Sequence, residues 1–570
     1  IRKLPPCRAA CPAHVNVQAY VALIQRGKFK EAVEVIRKDL PFPAICGRVC
    51  FSPCEDACAR VNLDQAVAIR ALKRLVADIE REQGRVVAEP VPKKYSEKVA
   101  IIGAGPAGLT AAYELVRRGV RPLVLEKDEV VGGLARTVRY KGFLFDIGGH
   151  RFFTKVSLVE QMWREVLGAD LLTRSRLSRI YYRSKFFQYP LEPLDAVLGL
   201  GPVESLRCAL SYLRARLAPR KPEDDLETWI SNRFGRRLFE IFFRTYTEKV
   251  WGLPCNRIRA EWAAQRIRGL SPGSILRNAF SGTTTDKKKA VKTLIRQFEY
   301  PRRGPGMMWE RTRELVEAGG GRVVTGAPVE RIYWAPGRVV AVQAGGRLWR
   351  GEHYISSMAL KDFIRALDPE PPVELQRAAE DFHYRDFLTV ALIVEGSNLF
   401  PDNWIYVHDP EVRVGRIQNY NNWSPEMTPD PGKTCLGMEY FCFRDDELWR
   451  TPDQELIAMA SGEIETLGLA RADRVLDGAV VRMEKAYPVY DDSYQRGLSA
   501  VRRFLETVPN LQLVGRNGMH RYNNQDHSML TGMLAARNVL GGRFDLWRVN
   551  VDEDYLEEGS TVGEEDILAL

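Results

Sequence analysis

Residues Ala100–Gly108 read AIIGAGPAG, and the fold is decided by what surrounds them. Lys98–Gly103 is a short apolar run that predicts a strand, Pro106–Arg118 has the spacing of an amphipathic helix, and Pro122–Glu126 predicts a second strand. Gly103, Gly105 and Gly108 therefore form G-x-G-x-x-G at the start of a βαβ unit. In such a turn the first glycine permits the tight bend and the second lets backbone approach a pyrophosphate. The third packs helix on strand, so that the helix N-terminus faces the anion. Glu126, closing the second strand, is placed to hold an adenosine ribose.

Upstream lie six of the ten cysteines, Cys7, Cys11, Cys46, Cys50, Cys54 and Cys58, spaced C-x3-C-P and then C-x3-C-x3-C-x3-C. Thiolates at this density suit iron–sulfur binding, with zinc or plain buried thiols as alternatives. Val15–Gln25, Phe29–Arg37 and Ala66–Glu80 carry helical apolar spacing around a Pro-, Gly- and Cys-rich loop, Pro41–Arg60. Cys208, Cys255, Cys435 and Cys442 sit in ordinary apolar surroundings and read as core.

The expected organisation is a helical cysteine domain over 1–86, a polar linker over 87–97, and nucleotide-binding segments over 98–155, 301–360 and 501–545. Between them fall a mainly helical insertion over 156–300 and an antiparallel-sheet substrate domain over 361–500, with a tail over 546–570. Strands are predicted at Arg322–Trp334, Val339–Ala344, Leu348–Ser356, Phe387–Glu395, Trp404–His408, Arg413–Tyr420, Thr434–Phe443 and Leu511–Gly515, and a helix at Ser528–Leu540.

The 570 residues are 45% hydrophobic and 27% charged, ordinary for a globular protein, with net charge 83 − 73 = +10. That excess suits an acidic redox partner, a phosphorylated substrate, an anionic membrane or simply a solvated Arg-rich face. No basic run with interleaved aromatics points to nucleic acid. The chain begins at Ile1, so upstream residues are expected to be missing. It shows neither a signal-peptide pattern nor an 18-residue apolar run, so a cytoplasmic protein without disulfides is expected.

Val131–Arg136 (VGGLAR) and Phe145–His150 (FDIGGH) resemble the extended flavin fingerprint of the monoamine oxidase, protoporphyrinogen oxidase and UDP-galactopyranose mutase superfamily. The resemblance implies non-covalent FAD, with Gly132, Gly133 and Arg136 beside the pyrophosphate and ribityl chain, and Gly148, Gly149 and His150 along the isoalloxazine. Gly515–Asp526 (GRNGMHRYNNQD) resembles the mutase segment G-R-x-x-x-Y-x-Y-x-x-M-D, matching at Gly515, Arg516, Tyr522 and Asp526; His520 and Gln525 replace the first Tyr and the Met. This implies that Asp526 holds the ribityl chain and that the following helix, starting near Ser528 and Met529, faces the flavin pyrimidine. Val329 completes the implied cofactor set, and His150, Tyr522 and His527 are the candidate catalytic residues. Tyr246–Gly252 (YTEKVWG) also resembles the mutase Y-T-x-K-x-W-G, and residues 98–545 as a whole resemble a bacterial branch of the superfamily.

Residues 1–85 resemble the N-terminal domain of the glutamate synthase small subunit and of dihydropyrimidine dehydrogenase, through ACPAHVNVQAY, PFP-x-x-CGRVC and CEDAC. That family holds two [4Fe–4S] clusters, and its pattern implies Cys11, Cys50 and Cys54 as ligands. Its C-x2-C pair ahead of Cys7 has no counterpart here, its non-cysteine ligand falls on Lys73, and Cys46 is extra. Six cysteines cannot supply eight thiolates, so one [4Fe–4S] cluster is expected, with two as the alternative.

The expected fold is thus α/β: a Rossmann-like FAD-binding domain with an antiparallel-sheet substrate domain, preceded by a small all-α iron–sulfur domain. The expected function is an FAD-dependent oxidoreductase that couples an organic small-molecule substrate to one-electron transfer through the cluster. Because no second G-x-G-x-x-G offers a nicotinamide site, a ferredoxin-like or other redox protein is the expected partner. Two alternatives stand beside this reading. One is a non-redox nucleotide-sugar mutase, with Tyr522 on the diphosphate; against it, the mutase R-I-P-V-R appears only as Arg266-Ile267-Arg268-Gly269-Leu270. The other is an electron-transfer subunit with no substrate of its own. Phe186–Leu217, rich in Leu, Phe and Tyr and carrying Arg207, Arg214 and Arg216, is a candidate for peripheral membrane contact.

Overall fold

Val99–Ile102 is buried at every position, as a strand covered on both faces must be. It lies at the centre of a five-stranded parallel sheet ordered Leu511–Leu513, His353–Ser356, Val99–Ile102, Leu123–Leu125 and Arg322–Val324. The computed structural model describes residues 5–40, 42–83, 98–189, 191–260, 297–491 and 493–550. The chain divides into two compact units, Ile1–Glu89 and Pro90–Leu570. The linker over 87–97, the mutase-like stretch Arg266–Leu270 and most of the tail lie outside the described residues.

In the larger unit the parallel sheet is the expected doubly wound half. Pro106–Arg117 and Gln525–Val539 pack on it, sharing a core that includes Leu109, Leu115, Trp163, Trp309 and Met533. These two helices come unusually close: a Cβ on Gly532 would stand 2.2 Å from the Ala107 carbonyl oxygen. A four-stranded sheet (Arg347–Trp349, Arg338–Ala344, Val329–Ala335, Leu367–Asp368) flanks this half. The substrate half is a seven-stranded sheet ordered Val475–Pro488, Tyr384–Glu395, Lys433–Cys442, Arg416–Asn419, Trp404–Val407, Ser178–Tyr182 and Lys185–Gln188.

Two expectations need correction. Residues 156–300 carry strands beside their helices: Leu171–Ser175 pairs with Gln297–Pro301, and the hairpin Ser178–Tyr182/Lys185–Gln188 completes the seven-stranded sheet. Val475–Pro488, the longest strand described, was expected as no strand at all. It pairs with Tyr384–Glu395 along nearly its whole length.

The smaller unit is helical, with Val17–Gln25, Phe29–Arg37 and Ile69–Gln83 packed around Tyr20, Ile36 and Val76. The expected loop Pro41–Arg60 folds into two short helices, Pro43–Val49 and Pro53–Asp56, each started by its proline. Gly47 lets the first of these lie against Arg74, where a Cβ would come within 2.8 Å of backbone.

Candidate active site

The three fingerprint glycines are required for three different reasons. Gly103 has φ +96°, and a Cβ there would approach Ser357 Oγ to 2.2 Å. A Cβ on Gly108 would stand 1.9 Å from the Gly103 carbonyl oxygen, so Gly108 seats the helix on the turn. Gly105 differs, because its φ −80° and ψ −173° suit any residue and a Cβ would meet only Gly133 Cα, at 3.8 Å. Nothing in the protein requires glycine here. What its absent side chain leaves clear is a passage between Gly105 and Gly133, part of a cavity of about 1250 Å³. That volume exceeds the ~300–1,000 Å³ of an ordinary small-ligand pocket, leaving room for a dinucleotide and a second molecule.

Glu126 lines this cavity, its carboxylate accepting from the Ala104 N–H at 2.6 Å and the Asp128 N–H at 3.1 Å. Burial pushes its pKa above the ordinary value. Val329, Gly148, Gly149, Gly515, Arg516 and Ser528 also line the cavity. Gly132, at φ +102°, shapes the turn without bordering the space.

Two implied cofactor residues turn elsewhere. Arg136 does not itself border the cavity: it donates to two residues that do, Asp128 at 2.6 Å and the Met483 sulfur. Met529 is fully buried, with its sulfur accepting from Trp163 Nε1 at 3.1 Å.

The second helix, Gln525–Val539, begins at the cavity with Asn524 as its cap. His527 closes the capping box, its Nδ1 accepting from the Asn524 N–H at 3.2 Å, and its own N–H donates to Asp526 at 2.9 Å. His527, a candidate catalytic residue, therefore has its ring engaged in the helix start. With the Pro106–Arg117 helix opening on the same cavity, two helix N-termini supply positive potential to one space.

His150 lines the cavity with its pKa pushed down to about 3, by desolvation first and then by Arg516 and Arg416. It is a neutral imidazole at any working pH. Tyr522 stacks on Tyr487 (centroids 5.6 Å apart), with the Arg516 guanidinium 4.7 Å from its own ring centre.

Two lining residues, Arg416 and His408, carry no sequence signal, and Tyr246 of the YTEKVWG stretch joins them. Arg416 binds Glu439 at 2.5 Å, Gln418 donates to Glu439 at 2.8 Å, and the Gly149 N–H donates to the same carboxylate. Tyr246 lies parallel to His408, centroids 5.0 Å apart. His408 is buried, with its pKa pushed down to about 3 by desolvation and then by Lys249. Its ring donates to the Phe242 carbonyl, leaving Nδ1 as an acceptor without a protein partner. Lys249, the lysine of YTEKVWG, donates to the carbonyls of Val407, Asp409 and Val414 and so fixes the loop that follows His408.

The larger unit fits a flavin dinucleotide on two observations: the unfilled passage at Gly105, and polar atoms buried on the cavity wall without protein partners, among them Gln525 Oε1, Asn517 Oδ1 and His408 Nδ1.

In the smaller unit the cysteines remain free thiols. Burial raises the Cys54 pKa, Cys11 and Cys50 raise it further, and the buried Lys73 lowers it. Burial first, and then Cys54, Cys11 and Cys7, raise the pKa of the Tyr20 hydroxyl. Cys7, Cys11, Cys50 and Cys54 thus gather in one electrostatic neighbourhood, a soft donor set that fits an iron–sulfur cluster. Among the described residues no group of three or more His, Cys, Asp or Glu side chains closes around a single ion. The other four cysteines are buried core, as expected.

Comparison with known proteins agrees with this division. The family model for flavin containing amine oxidoreductases matches residues 106–561, and that for dihydropyrimidine dehydrogenase domain II, 4Fe-4S cluster, matches residues 3–85. The chain is 41% identical over 150 residues to the NADP(+)-dependent formate dehydrogenase subunit beta of Moorella thermoacetica, covering 23% of this chain and 21% of that protein. It is 45% identical over 115 residues to the NADPH-Fe(3+) oxidoreductase subunit beta of Geobacter sulfurreducens, covering 20% of this chain and 17% of that protein. The chain thus spans about a fifth of these relatives' length. In fold it is similar to reduced UDP-galactopyranose mutase, with TM-score 0.71 and 22% identity over 81% of this chain and 99% of the other.

Proposed function

Because the chain belongs to the family of flavin-containing amine oxidoreductases, we propose that it oxidises or reduces an organic substrate at FAD and exchanges the electrons singly through a [4Fe–4S] cluster in its N-terminal domain. The observation that carries this reading is the single continuous cavity, which runs on from the Gly105–Gly133 passage into a chamber walled by Tyr246, Tyr406, His408 and Trp251. When bound, FAD supplies two-electron chemistry and the cluster one-electron chemistry.

This chain's own residues divide the remaining work. Gly103, Gly105, Gly133 and the N-terminus of the Pro106–Arg117 helix receive the dinucleotide phosphates, Glu126 the adenosine ribose and Asp526 the ribityl chain, while the N-terminus of the Gln525–Val539 helix faces the flavin pyrimidine. Arg416 and Glu439 hold the Gly148–His150 loop. His408 Nδ1, on a ring too weakly basic to take a proton, offers a hydrogen-bond acceptor to a substrate lying over Tyr246. Arg416 is paired with Glu439, so its charge is not offered to the substrate.

Cys7, Cys11, Cys50 and Cys54 hold the cluster. The adjoining surface exposes Ile45, Val49, Phe51 and Leu63 with Arg48 and Arg74, chemistry suited to an acidic one-electron carrier of the ferredoxin kind. The relatives named above are subunits of oxidoreductases, which supports a redox partner.

The test is anaerobic purification of the full chain with flavin, iron and sulfide analysis, followed by a substrate screen read by flavin bleaching. A Cys54→Ala chain should keep FAD and bleach with substrate, yet lose turnover with one-electron acceptors. Unchanged one-electron turnover in that variant would refute the electron route.

A further inference from the structure

The helix Pro202–Leu217 presents its apolar side to water. Val203, Leu206, Leu210, Leu213 and Leu217 repeat at three- and four-residue spacing and are each 55–85% exposed. The inward side is the polar one. Cys208 is buried, Ser205 donates to the Val197 carbonyl at 3.0 Å, Ser211 accepts from the Arg237 N–H at 3.0 Å, and Glu204 pairs with Arg237. A surface helix normally buries its leucines. This one is anchored by its polar side, so the stripe is held outward by hydrogen bonds. The preceding helix, Pro193–Leu200, adds Leu194, Val197 and Leu198, each 51–73% exposed.

We propose that these two helices form a docking face for the surface of a lipid bilayer carrying anionic headgroups. Charge complementarity selects that occupant. On the helix Pro202–Leu217, Arg214 and Arg216 lie exposed and unopposed by any acid of that helix, because its one acid, Glu204, is held by Arg207 and Arg237. Leucines with flanking arginines match the headgroup–acyl boundary, where the apolar side sinks and the cations meet lipid phosphates. A second copy fits less well. Antiparallel pairing along the leucine stripe would set Arg207 of one helix against Arg214 of the other, and like charges at such flanking positions repel.

The face also lies one layer from the cavity. Cys208 packs with Phe242, and Tyr189 and Leu191, in the chain leading into these helices, line the cavity themselves. No helix among the described residues is long and apolar enough to cross a membrane, so the contact is interfacial.

Flotation of the full chain with mixed phosphatidylglycerol–phosphatidylcholine vesicles, against phosphatidylcholine alone, tests the inference without any turnover and so independently of the redox reading. Binding is expected only with the anionic lipid, and should weaken with salt. The triple variant Leu206→Ser, Leu210→Ser, Leu213→Ser should bind at least about a hundredfold more weakly. The pair Arg214→Glu, Arg216→Glu should lose about tenfold or more. Both should keep flavin absorbance and circular dichroism, because the replaced side chains touch solvent. Four outcomes would overturn it: failure to float, equal flotation on phosphatidylcholine, undiminished flotation of the triple variant, or a lipid-free dimer that the triple variant turns to monomer.

Discussion

Gly105→Val separates the fold from the cofactor. Backbone at φ −80°, ψ −173° accepts valine without strain, and the first added carbon meets nothing nearer than Gly133 Cα at 3.8 Å. The apoprotein should therefore melt within about 0.5 kcal/mol of the parent, as for a surface change. The two methyl groups instead enter the passage assigned to the pyrophosphate. Overpacking there costs ~1–3 kcal/mol. Losing the backbone hydrogen bond to a charged phosphate costs a further ~1.5–3 kcal/mol. The sum, about 3–6 kcal/mol, is a loss of roughly 10²–10⁴-fold in FAD affinity. Titration of apoprotein with FAD, followed by quenching of flavin fluorescence, reads this directly, with circular dichroism as the fold control. Gly108→Ala is the contrasting variant: its Cβ would fall 1.9 Å from the Gly103 carbonyl oxygen, so it should destabilise the apoprotein itself. Parental FAD affinity in Gly105→Val would refute the passage, and an unfolded Gly105→Val chain would refute the claim that nothing in the protein needs glycine there.

His408, held neutral with a pKa near 3 against 6.5 when solvated, takes up its proton on unfolding between those values, so stability falls as pH falls. From pH 7 to 5 its share of that loss is about 2 kcal/mol, and denaturant titrations at the two pH values should show His408→Phe spared that amount. Gly532→Val would drive a side chain into the Ala107 carbonyl, so the Pro106–Arg117 and Gln525–Val539 helices must part. A loss of ~3 kcal/mol or more in apoprotein stability is expected, with weaker FAD binding as a consequence. Cys54→Ala should lower iron and sulfide per chain and abolish absorbance beyond the flavin bands, whereas Cys435→Ala, in the sheet core, should leave both unchanged.

The nucleotide-binding half was legible because each of its signals is local. Gly103 and Gly108 are demanded by contacts within a few residues or by one neighbouring turn, and the surrounding strand–helix–strand carries its period openly. The hairpin at 178–188 was hidden by its turn. Arg183 and Ser184 occupy positive φ at +48° and +59°, where Asn-Gly would have announced a hairpin. Val475–Pro488 was missed for another reason. Its Asp477, Arg482, Glu484 and Lys485 read as a solvated stretch, yet Asp477 binds Tyr140 and Lys141, Arg482 binds Asp453, and Lys485 binds Asp362. Partners distant in sequence turned charged residues into strand residues.

The same distance explains the chamber. Arg416, Gln418 and Glu439 lie on neighbouring strands, and only the register Arg416↔Glu439 makes them one group. A buried arginine alone would be prohibitive, and so would a buried glutamate. Together, with the Gly149 N–H and Gln418 completing the carboxylate's bonds, they cancel. The consequence is a division of polarity within one cavity. Where the Pro106–Arg117 helix opens from the Gly103–Gly105 turn, the wall is electropositive and suits a pyrophosphate. Beyond the Gly148–His150 loop, Arg416 is paired with Glu439, His150 and His408 are neutral, and the wall is largely aromatic, with Arg176 lying over Tyr189 and Trp404. Such a division favours a pyrophosphate in the first region and a flat, aromatic or apolar group in the second.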